Sequence, residues 1–570
     1  MQRAQADQMQ DRGASQWLMA RVSPIRPNER PRRLRTAGRC AARLASMERK
    51  WWTLIAVCVA IFMLLLDITV VNVALPSIQR SLHASFSDLQ WVVNAYALTL
   101  AAFLLTGGAL ADLIGRKRVF LAGLLLFTCC SAVSGLSTSP LMLNLARAAQ
   151  GIGGALMFAT SLALIAQAFH GRERGVAFGA FGAVTGAAVA VGPVLGGIIT
   201  SGIGWKWIFF VNVPIGAAAL LLSVLKVAES RDREATRVDW VGLITFSGAL
   251  FLLVYALSEG NEEGWSSTLI LAFLIGSGAL MCVFLTAELV QQRPMLDLSL
   301  FRRRAFLGAS IVAFALSASI FAMFLYLTLY IQDVLGYSAL AAGLRFLPVT
   351  LLSFAVAPIA GRLTVHVPVR LLLGFGLVLV GAGLAAMSAV SAGSSWTVLV
   401  PGFVLAGAGV GLVNPPLAST AIGVVHFSRS GMASGINSTF RQVGIATGIA
   451  GLGAIFEHEV VSSTMGSLAH GGVAAAAESA AHGRLATLLA SGEVAEVFHS
   501  LRAGTAAALA HAYRGGFANA LDRIVLIAAG VAFIGAICAF TLVRSGDFVA
   551  STDREAAGEG AVEQAGALAG

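Results

Sequence analysis

The sequence predicts an all-α integral membrane protein that crosses the bilayer many times. Hydrophobic residues make up 57% of the chain and charged residues only 12%, whereas a soluble globular protein has about 25% charged residues. Apolar runs of about 20 residues, the length of a membrane-spanning helix, recur along the chain. Because lipid cannot satisfy backbone polar groups, such runs are expected to be helices.

The apolar runs predict fourteen spans. The loops that connect these spans alternate between basic loops and loops with almost no basic residues. By number the spans are approximately 51–75, 88–110, 118–137, 141–168, 176–200, 205–226, 238–258, 267–288, 306–331, 341–362, 370–390, 396–424, 432–456 and 521–543. Basic residues cluster in alternate loops, as in Arg302–Arg304, while loops such as 134–140 carry almost none. The positive-inside rule then predicts a multi-pass protein of the cell (inner or plasma) membrane with both termini in the cytoplasm. The net charge of +10 therefore does not indicate a nucleic-acid partner.

An internal repeat indicates two related halves. Gly175-Val-Ala-Phe-Gly179 opens span 5 and Gly431-Met-Ala-Ser-Gly435 opens span 13. Paired halves are typical of transporters that bind substrate between them near the midplane, and spans 7 and 8 have no counterpart. The predicted divisions are a basic cytoplasmic tail 1–50, a six-helix bundle 51–226, inserted helices 227–304, a second six-helix bundle 305–545 and a disordered cytoplasmic tail 546–570.

Two segments lack the apolar pattern. The first 46 residues are Arg-rich without the apolar core of a signal peptide, and we expect Met47, which precedes basic and aromatic residues, to be the natural initiator. Residues 459–520, between spans 13 and 14, are rich in Ala, Gly, His and Ser and are extracytoplasmic by parity. Surface helices and a disordered loop are both compatible with their composition.

Two charged residues lie inside apolar runs. Asp67 lies in span 1, where an acid costs a few kcal/mol and so faces a cavity or a partner. It is either a helix–helix polar contact or a proton-binding site. Arg147 in span 4 needs a partner too, unless it extends to the outer interface.

Helix geometry predicts a polar layer at one depth. At 1.5 Å per residue, Asp67, Arg147, Pro193, Asn94 and Tyr96 all lie roughly 10–14 Å below the outer surface. Asp67 is the only acid of this layer, and the other acids of the spans are predicted near span ends. These acids are Asp88, Asp239, Glu259, Glu288, Asp333, Glu457 and Asp522.

Three motifs resemble those of a known family. The loop Gly108-Ala-Leu-Ala-Asp112-Leu-Ile-Gly115-Arg116-Lys117 resembles the signature loop of the major facilitator superfamily. This resemblance implies that Asp112 and Arg116 form a cytoplasmic latch that faces the start of span 13. Ordinary positive-inside residues would explain the bases of this loop but not Asp112 between its glycines.

The segment Arg147-Ala-Ala-Gln150-Gly151-Ile-Gly-Gly154 resembles the superfamily motif whose arginine is implicated in proton coupling. In span 5, Gly192-Pro193-Val-Leu-Gly196-Gly197 resembles the antiporter motif, although tight helix packing alone would also explain glycines.

Further segments resemble fourteen-span drug:proton antiporters of the QacA/EmrB type. They are Leu66–Pro76, which contains Asn72, Trp91–Tyr96, Gly204–Gly216 and Arg441-Gln442-Val-Gly444. The resemblance covers Glu48 to Arg544, except much of the loop before span 14. It implies two six-helix major-facilitator bundles plus two inserted helices.

The resemblance also implies a function. We expect a secondary active transporter that exports hydrophobic or amphipathic compounds in exchange for protons by alternating access. Export of an endogenous metabolite or lipid on the same fold is the alternative. We expect proton coupling at Asp67, the only acid of the polar layer, and at Arg147, to which the resemblance assigns it. We expect Asn72, Asn94, Tyr96, Gln150 and Arg441 to belong to a polar layer or substrate cavity.

Other function classes lack their motifs. The chain has no phosphate-binding loop for nucleotide-driven transport, so the proton gradient is the expected energy source, without a cofactor. It has no nucleophile or metal-ligand constellation either, so we expect no enzyme and no metal site. A receptor would show no flux. The expected partners are the lipid bilayer, protons and small hydrophobic or cationic substrates, with the protein functional as a monomer and without nucleic acid.

Overall fold

The chain folds as two units, Met1–Trp52 and Thr53–Gly570, in a computed structural model. The structure describes residues 30–169, 172–230, 239–291, 294, 296–364, 366–388, 390–391, 393–423, 430–471, 474–475, 485–486, 489 and 503–544. In the first unit, residues 30–52 are helical. Residues 1–29 of the predicted basic tail and the predicted tail 546–570 lie outside the described residues, and the predicted start at Met47 stays a prediction.

A helix stands at the position of each predicted span. The helices are α1 (Arg49–Leu82), α2 (Phe86–Ile114), α3 (Arg116–Leu136), α4 (Pro140–Ala168), α5 (Arg172–Gly202), α6 (Trp207–Lys226), α7 (Trp240–Glu263), α8 (Thr268–Val290), α9 (Arg304–Val334), α10 (Ala339–Leu363), α11 (Val369–Ala386), α12 (Val400–Gly423), α13 (Ser430–His470) and α14 (Ala503–Leu542). The described part of the chain contains no strand. The predicted all-α membrane fold is confirmed.

Thirteen of the described helices are long and apolar enough to cross a membrane. The helix outside this set is α13, whose 41 residues include Asn437, Arg441 and Glu457. Its polar residues lower its hydropathy, so the predicted count of fourteen spans depends on this helix.

Two of the helices, α6 and α9, are interrupted along their length. A break at Val211 divides α6 into Trp207–Phe210 and Asn212–Lys226. Two π-helical turns, Ser317–Phe321 and Tyr330–Val334, interrupt α9. Single π-helical turns occur frequently at functional sites.

The helices pack into two halves, which meet at two interfaces. In the first half α4 packs on α2 and α3, and α3 packs on α6. In the second half α12 packs on α10 and α11, and α14 packs on α9, α11 and α13. The halves meet where α2 packs on α13 and where α5 packs on α10. Of the inserted pair, α7 packs on α8 and also on both α2 and α13. The division into two bundles at 226 and 304 stays a prediction.

The helices α13 and α14 extend beyond their predicted ends. The prediction ended span 13 at residue 456 and began span 14 at 521, but α13 continues to His470 and α14 begins at Ala503. Buried Leu468 and Leu509 hold the two extensions together. Glu459, just beyond the predicted end of span 13, pairs with Arg523 of α14 at 2.5 Å. Most of residues 471–502, which connect the two helices, lie outside the described residues.

Candidate functional site

Asp67 forms an ion pair in the interior of the first half. Its side chain is 1% exposed, and its Oδ2 atom lies 2.5 Å from Nη1 of Arg147, whose side chain is 2% exposed. Helices α1 and α4 carry the two residues at the same depth, as the helix geometry predicts. Arg147 therefore does not extend to an interface, and the partner that the sequence required for it is Asp67.

Arg147 is held on three further sides. Its Nε atom donates to the carbonyl of Val92 on α2 at 3.1 Å, and Nη1 donates to Oε1 of Gln150 at 2.9 Å. The ring of Tyr96 lies 4.2 Å from its guanidinium carbon, within the range of a cation–π contact. These contacts fix the orientation of the guanidinium toward α1.

The second carboxylate oxygen of Asp67 accepts two amide donors. Gln150 Nε2 donates to Oδ1 at 3.1 Å, and Asn212 Nδ2 donates to the same oxygen at 2.9 Å. Asn212 Nδ2 also contacts Ser131 Oγ at 3.1 Å, and Ser131 donates to the carbonyl of Phe209 at 2.8 Å. We call Asp67, Arg147, Gln150, Asn212 and Ser131 the Asp67 network. It joins α1, α3, α4 and α6 around one buried carboxylate.

Sequence reasoning did not assign Asn212 or Ser131 to the site. Asn212 lies within the segment Gly204–Gly216 that carried the family resemblance, and the break at Val211 precedes it. The position of Asn212 in that segment was the sequence signal that could have identified it. Ser131 lies in an ordinary apolar run, and no sequence signal marked it as a site residue.

Glycines in α4 allow the helices of the network to approach closely. A Cβ atom on Gly151 would lie 2.5 Å from the carbonyl oxygen of Tyr96 and would also meet Thr99 Oγ1. A Cβ atom on Gly154 would lie 3.1 Å from the hydroxyl of Tyr96. The spacing of the Arg-x-x-Gln-Gly motif thus serves both the polar contacts and the close packing of α4 on α2.

The other residues predicted for the polar layer do not join this network. Asn94 is fully buried, and neither of its side-chain polar atoms has a hydrogen-bond partner among the described residues. Asn72 is half-buried, and no hydrogen bond to a described residue is found for it. Along α2, Arg147 contacts the carbonyl of Val92, whereas Thr439 of α13 donates to the carbonyl of Ala101. Arg441 follows Thr439 by two residues and therefore lies nearer to the level of Ala101 than to that of Val92. Equal depth does not imply the same face of a helix, so these residues need not contact the network, and their place in a polar layer or substrate cavity stays a prediction.

The Gly-Pro segment of α5 lies between the two halves. Cβ atoms on Gly192 and Gly196 would collide with Thr69 and Val70 of α1. On the other side of α5, a Cβ atom on Gly197 would lie 2.7 Å from the carbonyl oxygen of Ala339 and from Cα of Leu340, both on α10.

Contact between α5 and α10 decreases along the helices. A Cβ atom on Gly343 would collide with the carbonyl of Pro193, and the backbone N–H of Leu340 donates to Ser201 Oγ at 2.9 Å. Farther along α5, a Cβ atom on Gly186 would reach Phe354 only at 3.5 Å, and one on Gly182 would have nothing within 4 Å. The two helices are therefore closely packed at the predicted outer end and apart toward the predicted inner end.

The signature loop forms a compact turn. Gly115 has a φ of +119°, a conformation that favours glycine. Arg116 donates from Nε and Nη2 to Oδ1 of Asp112 at 3.1 and 2.9 Å. Glu229, after α6, accepts from the backbone N–H of Lys117 at 3.0 Å. The latch to span 13 implied by the resemblance stays a prediction, because the side chains 421–431 lie outside the described residues. A Cβ atom on Gly108 would have open space around it.

A second buried acid lies where α2, α7 and α13 meet. Glu457 is 2% exposed. It accepts from Gln90 Nε2 at 2.7 Å and from Asn261 Nδ2 at 3.2 Å. Its partners Gln90 and Asn261 lie close to the ends of α2 and α7, so the prediction that Glu457 lies near a span end stays a prediction although α13 continues past it. We call Gln90, Asn261 and Glu457 the three-helix junction.

Comparison with known proteins identifies the family. The sequence profile described as Major Facilitator Superfamily matches residues 57–449. The chain belongs to the major facilitator superfamily. Members of this superfamily are transporters, so this chain is a membrane transporter and not an enzyme.

Several superfamily members resemble the chain over most of their length. The multidrug resistance protein Stp of Mycobacterium tuberculosis (strain CDC 1551 / Oshkosh) is 38% identical over 404 residues, 71% of this chain and 75% of that protein. The puromycin resistance protein pur8 of Streptomyces alboniger is 36% identical over 434 residues, 75% of this chain and 85% of that protein. The tetracenomycin C resistance and export protein of Streptomyces glaucescens is 33% identical over 413 residues, 72% of this chain and 77% of that protein.

A solved structure shares the fold. The bacterial homolog to the human lysosomal transporter Spinster, in an inward-facing and unoccupied conformation, aligns with a TM-score of 0.54 over 88% of this chain and 99% of that one. Its sequence identity is 18%.

Among the residues described here, no group of three His, Cys, Asp or Glu side chains could hold a metal ion.

Proposed function

We propose that the protein exports hydrophobic or amphipathic compounds in exchange for protons and belongs to the fourteen-span QacA/EmrB branch of the superfamily. The observation that carries this proposal is the Asp67 network, a buried carboxylate with one arginine and two amide donors from other helices. The names of the relatives, which refer to resistance and export, support efflux of drug-like compounds.

Protonation of Asp67 would change the packing of three helices at once. The ionised carboxylate attracts Arg147 of α4 and Asn212 of α6. A proton on Asp67 removes the negative charge and leaves Arg147 buried without its counter-charge, a change that costs about 3–5 kcal/mol in buried pairs. Helices α1, α4 and α6 are then free to rearrange. In this cycle the proton selects between two arrangements of the first half.

The proton gradient supplies the energy of transport. One charge that crosses the membrane potential is worth about 2.3 kcal/mol per 100 mV. The gap between α5 and α10 indicates that substrate enters from the predicted inner, cytoplasmic end. Closure of this gap and release of the contact between Gly197 and α10 would open the outer end. We place both termini in the cytoplasm, on the charge pattern of the loops, and propose that the protein acts as a monomer in the plasma membrane.

Substitution of Asp67 tests the proposal. Asp67→Asn keeps the size of the side chain but cannot bind the proton, and we expect ΔpH-driven uptake of exported dyes into everted vesicles to fall to background. Asp67→Glu keeps an acid and should retain part of the activity. Glu263→Gln, which removes a carboxylate at an exposed position near the end of α7, serves as the control for loss of an acid. Full uptake by the Asp67→Asn vesicles would refute proton coupling through this residue.

A panel of compounds separates the two substrate classes. Drug efflux predicts uptake of several unrelated dyes and antibiotics, whereas export of a single metabolite or lipid predicts that none of them competes with the native compound.

A further inference from the structure

Arg441 is a half-buried arginine in the second half of the protein, and the Asp67 network does not include it. In the described part of the chain it forms no ion pair and no hydrogen bond. Its one recorded contact is with the ring of Phe321, 5.8 Å from its guanidinium carbon. An arginine inside a membrane protein normally pairs with an acid or a carbonyl, because an unpaired charge there is costly. Its free donors are available to a ligand.

Arg441 lies on α13 between the sides of this helix that contact α2 in the first half and α9 in the second half. Gly444 lies against α9, and Thr439 donates to a carbonyl of α2. Val443 packs with the apolar cluster that includes α7. At about 100° per residue, Arg441 and the half-buried Gln442 lie on the remaining side of α13, between its α9-facing and α2-facing sides.

Aromatic rings and a neutral donor accompany Arg441. The ring of Phe321 lies 6.2 Å from that of Phe324, which lies 5.3 Å from that of Phe346 on α10. Ser317, against Gly444, is fully buried, and its hydroxyl has no partner among the described residues. Phe321 and Phe324 are half-buried, whereas Phe346 is buried behind them. Aromatic rings beside a guanidinium can bind a planar aromatic compound that carries an oxyanion.

The acids of the central helices are not available to a cation. Asp67 is paired with Arg147 and is 2% exposed. Glu457, also 2% exposed, accepts from Gln90 and Asn261. A cationic compound that enters the gap would therefore meet Arg441 without a compensating free carboxylate from these two residues, which opposes its binding.

We propose that Arg441 binds the anionic or acidic group of the exported compound, so that the transporter prefers aromatic acids to neutral and cationic compounds of similar shape. The guanidinium provides the charge-assisted hydrogen bonds, and the ring of Phe321 lies beside the aromatic part. This inference rests on the proposed export function and names the class of its substrate. It replaces the earlier expectation that cations are among the substrates.

Two probes that share a ring system test this preference. 8-Anilinonaphthalene-1-sulfonate carries a sulfonate that the neutral N-phenyl-1-naphthylamine lacks. Binding of each to the full-length protein in lipid nanodiscs is measured by equilibrium dialysis, with empty nanodiscs as the blank. A hydrogen-bonded charge contributes about 1.5–3 kcal/mol, so we expect Arg441→Gln to weaken sulfonate binding about 10- to 100-fold. Binding of the neutral probe should change less than about twofold.

Two further variants distinguish recognition from a structural role. Arg441→Lys keeps the charge and should restore most of the sulfonate affinity. Arg523→Gln removes a positive charge from an arginine whose side chain is 63% exposed, and it should leave both affinities unchanged. Equal losses for both probes in Arg441→Gln, or no loss for either, would overturn the proposal, provided that the unfolding temperature matches the wild type.

Transport of the neutral probe separates this inference from the proposed function. If wild-type proteoliposomes fail to move either probe in response to a pH gradient while Arg441 still discriminates in binding, the export proposal fails and the anion site stands.

Discussion

At the scale of single residues, the Asp67 network depends on Asn212 as much as on the pair that the sequence indicated. Asn212→Ala removes one donor to the Asp67 carboxylate and the contact with Ser131. Hydrogen bonds to charged groups contribute about 1.5–3 kcal/mol, so we expect ΔpH-driven uptake in everted vesicles to fall about tenfold or more. Asn519→Ala, which removes an exposed asparagine of α14 that donates to Ser463, should retain nearly full uptake. Equal uptake by the two variants would show that Asn212 has no role in the network.

The sequence could identify part of this site because depth follows from helix rise alone. Asp67 and Arg147 meet where 1.5 Å per residue places them. The motif also named Gln150 and the depth argument named Tyr96, and both contact Arg147. Asn94 has the right depth but no contact with Arg147, because the face that a helix turns to its neighbours depends on packing across the whole bundle.

At the scale of helices, the close contact of α5 with α10 holds the predicted outer end closed. Gly197→Ala would place a Cβ atom 2.7 Å from the carbonyl oxygen of Ala339, and overpacking of this kind costs about 1–3 kcal/mol. We expect the population open to the outside to rise about fivefold or more. A membrane-impermeant maleimide should then label Val73→Cys faster, in a protein whose native cysteines are replaced by alanine. Val73 is a suitable reporter because its carbonyl accepts from Gln332 of α9 in the closed arrangement.

The matched control for this contact is Gly202→Ala. A Cβ atom there has nothing within 4 Å, so labelling of Val73→Cys should remain at the rate of the unsubstituted protein. Unchanged labelling in Gly197→Ala would contradict the assignment of this contact to the closed outer end.

Helix ends were the least predictable part of the fold. The apolar-run rule stops at charged residues, so it ended span 13 before Glu457. The helix continues because Gln90, Asn261 and Arg523 satisfy the two carboxylates that follow. Such partners come from distant parts of the chain and leave no local signal in the sequence.

At the scale of the whole molecule, the inserted helix α7 connects both halves through the three-helix junction. Loss of the Glu457 carboxylate leaves the side-chain donor of Gln90 without this acceptor, and a buried unsatisfied donor costs about 1–3 kcal/mol. We expect Glu457→Ala to lower the unfolding temperature of the purified protein by a few degrees. Glu263→Ala, at an exposed position near the end of α7, should leave it unchanged. Equal unfolding temperatures for the two variants would show that the junction does not stabilise the assembly.

The central claim is that Asp67 carries the proton that export exchanges for substrate. Its most direct test is the release of protons when an exported compound is added to the purified protein in weakly buffered detergent solution, followed with a pH-indicator dye. We predict that the wild-type protein releases protons on binding and that Asp67→Asn binds the compound without release. Release of equal size from Asp67→Asn would contradict the claim.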